Sequence, residues 1–126
     1  MYATTYVNES PLKVFTAAGE LDGGAFTAVS LGEYGLVTAG GASVPVGIVG
    51  DLDFPIKAGE EVTVQIDGGG LWAVGEDVKA GDFLSAGEGG KAVKSTTGKY
   101  IFAQALQSGE ASSAVEVQII RGGFAQ

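Results

Sequence analysis

The stretch Val62-Thr63-Val64-Gln65-Ile66-Asp67 decides the fold class, because apolar and polar residues alternate in it without interruption. Successive side chains of a β-strand point to opposite faces, so this pattern predicts a strand with one buried face and one solvent-facing face. A second copy, Val115-Glu116-Val117-Gln118-Ile119, lies 53 residues further on (115 − 62 = 53). Both copies follow a Gly-Glu pair and lead to a Gly-Gly pair, which fits either an internal duplication or independent use of the same strand chemistry.

Short apolar segments bounded by glycine, proline, aspartate and serine fill the chain beyond residue 24. They predict nine strands: Ala25 to Leu31, Tyr34 to Thr38, Val44 to Val49, Glu61 to Asp67, Leu71 to Val74, Asp82 to Ser85, Lys91 to Lys94, Tyr100 to Leu106 and Ala114 to Arg121. The segment from Tyr100 is also compatible with a helical turn. A chain of 126 residues can bury one core, and strands at this spacing predict an all-β fold, a compact β-barrel or β-sandwich.

The first 24 residues have a different character, with aromatic residues scattered among small polar ones before the turn Asp22-Gly23-Gly24. We predict an extended and loosely attached N-terminal arm over residues 1–24 and a single β domain over residues 25–126. On this division, deletion of residues 2–15 is expected to leave the domain folded.

Charge and composition exclude several function classes. Seven Lys and Arg against 15 Asp and Glu give a net charge of −8, which repels nucleic acids and anionic membranes. The absence of Cys and His removes thiolate chemistry and the commonest metal ligand and general base. No signal-peptide pattern opens the chain, and the longest uncharged stretch, Tyr34 to Gly50, is shorter than the ~20 residues that span a bilayer. We expect neither nucleic acid nor membrane as a partner.

The loop from Ser85 to Ala92 comes close to a phosphate-binding loop. Ser85 and Ala92 stand where that motif needs a glycine and a serine or threonine, and the β-branched residues that follow disfavour the required helix. A glycine-rich hairpin turn is therefore predicted here. The segment Val74 to Leu84 is similar to a hairpin of biotinyl and lipoyl carrier domains, but it lacks the sequence context of their modified lysine.

Paired carboxylates lack the spacing of a calcium loop and are interpreted as exposed turn residues. They are Asp51 and Asp53, Glu60 and Glu61, and Glu76 and Asp77. We predict no catalytic residue, no metal, no cofactor and no small-molecule substrate. A small hydrolase that uses paired carboxylates is the enzymatic alternative.

Several soft motifs follow one another in a defined order: Val44 to Val49, Ala58 to Val64, Val78 to Leu84, Gly90 to Val93, Ala103 to Leu106 and Val115 to Val117. In this order the chain resembles the small capsid decoration proteins of tailed phages, a family of head-stabilising cement proteins. The resemblance implies a compact β domain that is made in the host cytoplasm and binds the major capsid protein on the outer surface of the virion capsid, as a homotrimer. Another structural virion module, such as a tail or fibre component, is the main alternative.

Aromatic residues supply the candidate contacts. Tyr2, Tyr6 and Phe15 are predicted to bind the capsid by adding the arm to an exposed sheet edge, or alternatively to cover the domain's own core. Trp72, on a short strand between glycines, and Phe54, before a proline, are candidates for a subunit interface. A place in the core is the alternative for both.

Overall fold

The computed structural model describes residues 11–21, 23–32, 34–39, 44–50 and 54–126, and over these residues it is built from strands. The ten strands of this part of the chain are β1 (Leu12–Ala17), β2 (Ala28–Leu31), β3 (Leu36–Ala39), β4 (Gly47–Val49), β5 (Glu61–Gln65), β6 (Gly69–Ala73), β7 (Phe83–Ala86), β8 (Ala92–Lys94), β9 (Tyr100–Ala105) and β10 (Ala114–Phe124). A short 3-10 turn at Glu88–Gly90 separates β7 from β8. The all-β prediction is confirmed, and each of the nine predicted strands overlaps an observed one.

The first five strands close into a barrel in the order β1-β3-β2-β4-β5, and β5 returns to pair with β1. Strands β1 and β3 are parallel, and the other pairs are antiparallel. The alternation that predicted β5 is confirmed, because Val62 and Val64 are buried inside the barrel. They pack there with Val29, Val37 and Val49.

Strand β1 corrects the predicted boundary of the N-terminal arm. Leu12–Ala17 pairs with β5 over five residues, and a further bridge joins Leu21 to Ile56. Phe15 and Ala17 pack with the barrel core, so this part of the chain belongs to the domain. Residues 1–10, including Tyr2 and Tyr6, lie outside the described residues.

The other five strands form an antiparallel sheet in the order β6-β10-β9-β7-β8. Its inner face is a second core, and the second alternating stretch contributes the buried residues Val115, Val117 and Ile119. The largest side chains of this core are Trp72, Leu84 and Phe102. The two alternating stretches therefore lie in different sheets, and each supplies buried side chains to the core of its own sheet.

The two cores are joined. Ala28 and Ile48 belong to barrel strands, yet they pack in the core of the sheet. The Ala73 amide of β6 donates a hydrogen bond of 2.8 Å to the Phe26 carbonyl. Gly90 lies so close to Ala28 that a Cβ atom on it would collide with the Ala28 backbone.

The hairpins that contain the two alternating stretches are built alike but differ in register. In the barrel, Gln65 of β5 lies opposite Ile48 of β4. A constant offset of 53 residues would place Ile101 opposite Gln118 (48 + 53 = 101; 65 + 53 = 118), whereas Gln104 occupies that position. The two hairpins are therefore alike in having an alternating strand paired with an apolar one, but they differ in which residues lie opposite each other.

Candidate interaction surface

Trp72 is a core residue, which corrects its assignment to a subunit interface. The side chain is fully buried, and its Nε1–H donates a hydrogen bond of 2.8 Å to the Gly90 carbonyl. Its ring meets that of Phe102 edge to face, with 5.5 Å between the centroids. Strand alternation explains the placement, because the neighbouring Leu71 takes the outward position.

Phe15 and Phe54 are partly buried and pack against the barrel core. This place in the core is the alternative that the sequence left open for both. On β1 it is Leu12 and Val14 that face outward, and they are 50% and 61% exposed. The exposed apolar side chains of this strand are therefore not the aromatic ones that its sequence suggests.

Three of the paired carboxylates that the structure describes, Glu60, Glu76 and Asp77, accept hydrogen bonds from backbone amides. Glu76 accepts one from the Lys94 amide at 2.7 Å, and Asp77 accepts one from the Ala111 amide at 2.9 Å. Glu60 and Asp82 each accept from the amide of the lysine three residues earlier. Asp51 and Asp53 lie outside the described residues.

The loop between β7 and β8 is a hairpin connection, as its composition predicts. Within the described part of the chain, no group of three or more acidic side chains is arranged to hold a metal ion. No helix in that part is long and apolar enough to cross a membrane.

The solvent-facing side of the second sheet carries several large apolar side chains. Residues directly opposite one another on neighbouring strands share a face, which places Phe83, Gln104 and Gln118 in one row and Glu116 beside Leu71. We call this surface the outer sheet face; its residues are Leu71, Phe83, Gln104, Leu106, Glu116, Gln118 and Ile120.

The composition of the outer sheet face differs from that of the whole chain. Leu71, Phe83, Leu106 and Ile120 are 40%, 49%, 48% and 39% exposed. Glu116 is the one charged member of the set, although the chain as a whole is strongly acidic. Grouped apolar side chains on the surface of a domain are typical of sites that bind another molecule.

A groove opens where the barrel meets the edge strand β6, and we call it the junction groove. Its volume is about 180 Å³, and its lining includes Leu12, Phe26, Ile48, Thr63, Gln65 and Leu71. Leu71 is shared with the outer sheet face. None of these residues is charged, so the groove is suited to an apolar group.

Arg121 forms a second connection between the barrel and the sheet. Its guanidinium donates hydrogen bonds to the carbonyls of Val46 and Ile66 at 2.7 and 2.8 Å, and to that of Pro45 at 3.4 Å. It also lies 5.1 Å from the centroid of the Phe102 ring. The sequence feature that could have indicated a role for Arg121 is the scarcity of basic residues, of which the chain has only seven.

These features define a class of small β proteins in which a closed five-stranded barrel is joined to a five-stranded antiparallel sheet. The fold is similar to that of the head fiber gp8.5 N base of bacteriophage phi29, known from its crystal structure. The TM-score is 0.67 at 18% sequence identity, and the match covers 91% of this chain and 98% of that one. The sequence matches no protein-family model, and no curated protein is significantly similar to it.

Proposed function

We propose that this protein is a structural component of a phage virion that attaches to the outer surface of the head. The observation that carries the proposal is the shared fold, which extends over nearly the whole N base of a phage head fiber. The ordered motifs between Val44 and Val117 support the same assignment, since they resemble those of head decoration proteins. Leu12 and Leu71, exposed apolar residues at the junction groove, supply surface for such binding.

In this role the protein binds the major capsid protein, assembles as a homotrimer and performs no catalytic step. Two forms of head attachment are distinguished by their effect on the capsid. A cement protein stabilises the shell at many equivalent positions, whereas a fibre base carries a further structure outward. The fold likeness favours the fibre base, and the motif order favours the cement protein.

Binding to heads tests the proposal directly. The purified protein is mixed with heads that lack it, and the bound fraction is measured by sedimentation. We expect saturable binding and a fixed number of copies per head, and light scattering is expected to give the mass of a trimer. Failure to co-sediment with the heads would contradict head attachment.

The temperature at which the heads disrupt separates the two forms of attachment. A cement protein raises this temperature when it binds, because binding stabilises the assembled shell relative to the separated subunits. A fibre base that does not clamp neighbouring capsid subunits is expected to leave the temperature unchanged. Bovine serum albumin at the same concentration is the control for nonspecific protection.

A further inference from the structure

The edge strand β6 contains Leu71, whose backbone N–H and C=O have no partner among the residues that the structure describes, and Leu71 lies at the junction groove. The Gly68 carbonyl accepts a hydrogen bond from the Ile119 amide of β10. The Val74 amide donates one to the carbonyl of Ser113, the residue before β10. Because antiparallel pairs alternate, Leu71 belongs to a pair that makes no hydrogen bonds across the ladder. Its N–H and C=O therefore point away from β10.

The hydrogen bonds of Glu116, which lies opposite Leu71, support this geometry. The Glu116 carbonyl accepts from the Leu106 amide at 2.8 Å, and its own amide donates to the Gln107 side chain at 2.8 Å. Both groups are thus used on the side of β9. Leu71 has no backbone hydrogen-bond partner among the residues that the structure describes.

Gly69 and Ala73 are the nearest residues of β6 whose backbone groups also point away from β10, and each has a group in use. The Gly69 carbonyl accepts from the Gln65 side chain at 2.5 Å, and the Ala73 amide donates to the Phe26 carbonyl at 2.8 Å. These bonds occupy part of the edge on both sides of Leu71, which limits the open-ended strand pairing that leads to aggregation. At Leu71 both the N–H and the C=O are available, which is enough for one donor and one acceptor of an incoming chain.

The groove beside this opening has room for one large side chain. Its volume of about 180 Å³ is similar to that of cavities of about 150 Å³ that hold a benzene ring. Leu12, Leu71, Phe26 and Ile48 give it an apolar lining. A segment that pairs with the Leu71 backbone can therefore place one leucine-sized or aromatic side chain in the groove.

Charge selects between the possible occupants. Glu116 stands beside Leu71 on the outer sheet face, so a basic residue next to the apolar anchor is favoured. Acidic residues outnumber basic ones in this chain by 15 to 7, so a second copy is a less favourable source of such a segment than a different protein. The proposed homotrimer is a separate contact that does not use this groove.

We propose that the junction groove and the open edge at Leu71 bind an extended segment of a different protein, with one apolar anchor and an adjacent lysine or arginine. The proposal rests on the proposed function in that the partner is taken to be a capsid subunit. The segment contributes two backbone hydrogen bonds to Leu71 and buries its anchor between the barrel and the sheet.

Four glutamate substitutions at similarly exposed leucine and phenylalanine positions test the site. Leu12→Glu and Leu71→Glu place a charge in the groove, whereas Phe83→Glu and Leu106→Glu place one elsewhere on the outer sheet face. The two groove variants are expected to weaken binding to heads by about tenfold or more, and the two controls by less than about threefold. Thermal melts of each variant establish that it is folded.

The possible outcomes distinguish failure of the groove proposal from failure of the proposed function. If the wild-type protein does not bind heads, the proposed function is overturned and the capsid partner with it. If it binds and the groove variants bind equally well, the groove proposal is overturned and head attachment stands. If all four variants lose head binding equally, or if only the two controls lose it, the groove proposal is overturned and the outer sheet face is the binding surface.

Crosslinking provides a second test that does not depend on the glutamate variants. The chain has no cysteine, so Leu71→Cys introduces a unique site for a benzophenone maleimide. After irradiation on heads, the adduct is expected on a capsid-subunit segment with an apolar residue beside a lysine or arginine. An adduct within the same chain or with a second copy of it overturns the proposal.

Discussion

Arg121 connects three separate parts of the chain through one side chain. It follows the last buried residues of β10 and has a positive φ of 48°, which turns its side chain out of the strand alternation. The carbonyls that it reaches lie 55 to 76 residues earlier in the sequence. A planar guanidinium is suited to several acceptors at once, because its donors diverge in a fixed geometry.

Substitution of Arg121 is expected to weaken the attachment of the sheet to the barrel. Arg121→Ala should lower the free energy of unfolding by about 1–2 kcal/mol, because the carbonyls lose a charged donor that is partly exposed to solvent. Arg121→Lys should recover only part of the lost stability, since the lysine ammonium does not have the planar, diverging donors of a guanidinium. Urea denaturation measures the difference, with Lys99→Ala as the control at an exposed basic residue. Equal effects of the two alanine variants would contradict the role assigned to Arg121.

The contact residues are harder to predict than the core. The alternation around Val64 and Val117 depends only on neighbouring residues, so the sequence is sufficient to assign both to the interior. The role of Arg121 and the open backbone at Leu71 depend on pairings between distant segments. Trp72 is ambiguous in the sequence because a short glycine-flanked strand does not reveal which of its faces is buried.

At the level of elements, the nine predicted strands are recognisable because glycine, proline and acidic residues mark their ends. Strand β1 escapes prediction because its apolar residues face both ways: Leu12 and Val14 outward, and Phe15 and Ala17 inward. This lack of alternation is typical of a connecting segment when it is considered alone. The parallel pairing of β1 with β3 requires the closed barrel and cannot be inferred locally.

Removal of residues 2–15 is therefore expected to disrupt the barrel, contrary to the expectation from the sequence. The deletion takes four of the six residues of β1 and leaves the edges of β3 and β5 without their partner. A chain that begins at Pro11 keeps the whole strand and is the matched control. Hydrogen exchange of the β5 amides should become fast in the shorter chain only; slow exchange in both chains would mean that the barrel closes without β1.

The turns at Lys57 to Glu60 and Lys79 to Asp82 share the pattern Lys-Ala-Gly-acid and one geometry. Each places a glycine at positive φ, 86° for Gly59 and 94° for Gly81, and closes with a carboxylate that accepts from the lysine amide. A side chain other than glycine is strained at this φ even where space is free. The turns thus depend on backbone conformation rather than on packing.

Gly81→Ala is expected to lower the free energy of unfolding by about 1 kcal/mol, because alanine resists the left-handed conformation. Gly19→Ala is the matched control, since its φ is not in the left-handed range and a methyl group there would meet open space. It should be neutral or slightly stabilising, through the lower entropy of the unfolded chain. Chemical denaturation of the two variants measures the difference, and equal effects would show that the turn tolerates an alanine.

At the scale of the whole molecule, the barrel and the sheet are expected to unfold together. Ile48 of the barrel packs in the sheet core, and Gly90, in the turn before β8, contacts both Trp72 and Ala28. Shared core contacts of this kind couple two sheets into one cooperative unit. The junction groove exists only while both are folded, because its walls come from both.

The single tryptophan makes this coupling measurable. Trp72 lies in the sheet core, so its fluorescence reports on the sheet, whereas Val49 lies in the barrel core. Val49→Ala therefore perturbs the barrel, and its effect on the sheet is measured by Trp72 fluorescence. The substitution removes buried methyl groups and should lower the free energy of unfolding by about 1–3 kcal/mol. If the molecule unfolds as one unit, the midpoint of Trp72 fluorescence falls together with that of far-ultraviolet circular dichroism. An unchanged fluorescence midpoint would mean that the sheet unfolds independently of the barrel, and that a partner could separate the two halves of the groove. Leu31→Ala, at an exposed position of β2, is the control that should shift neither midpoint appreciably.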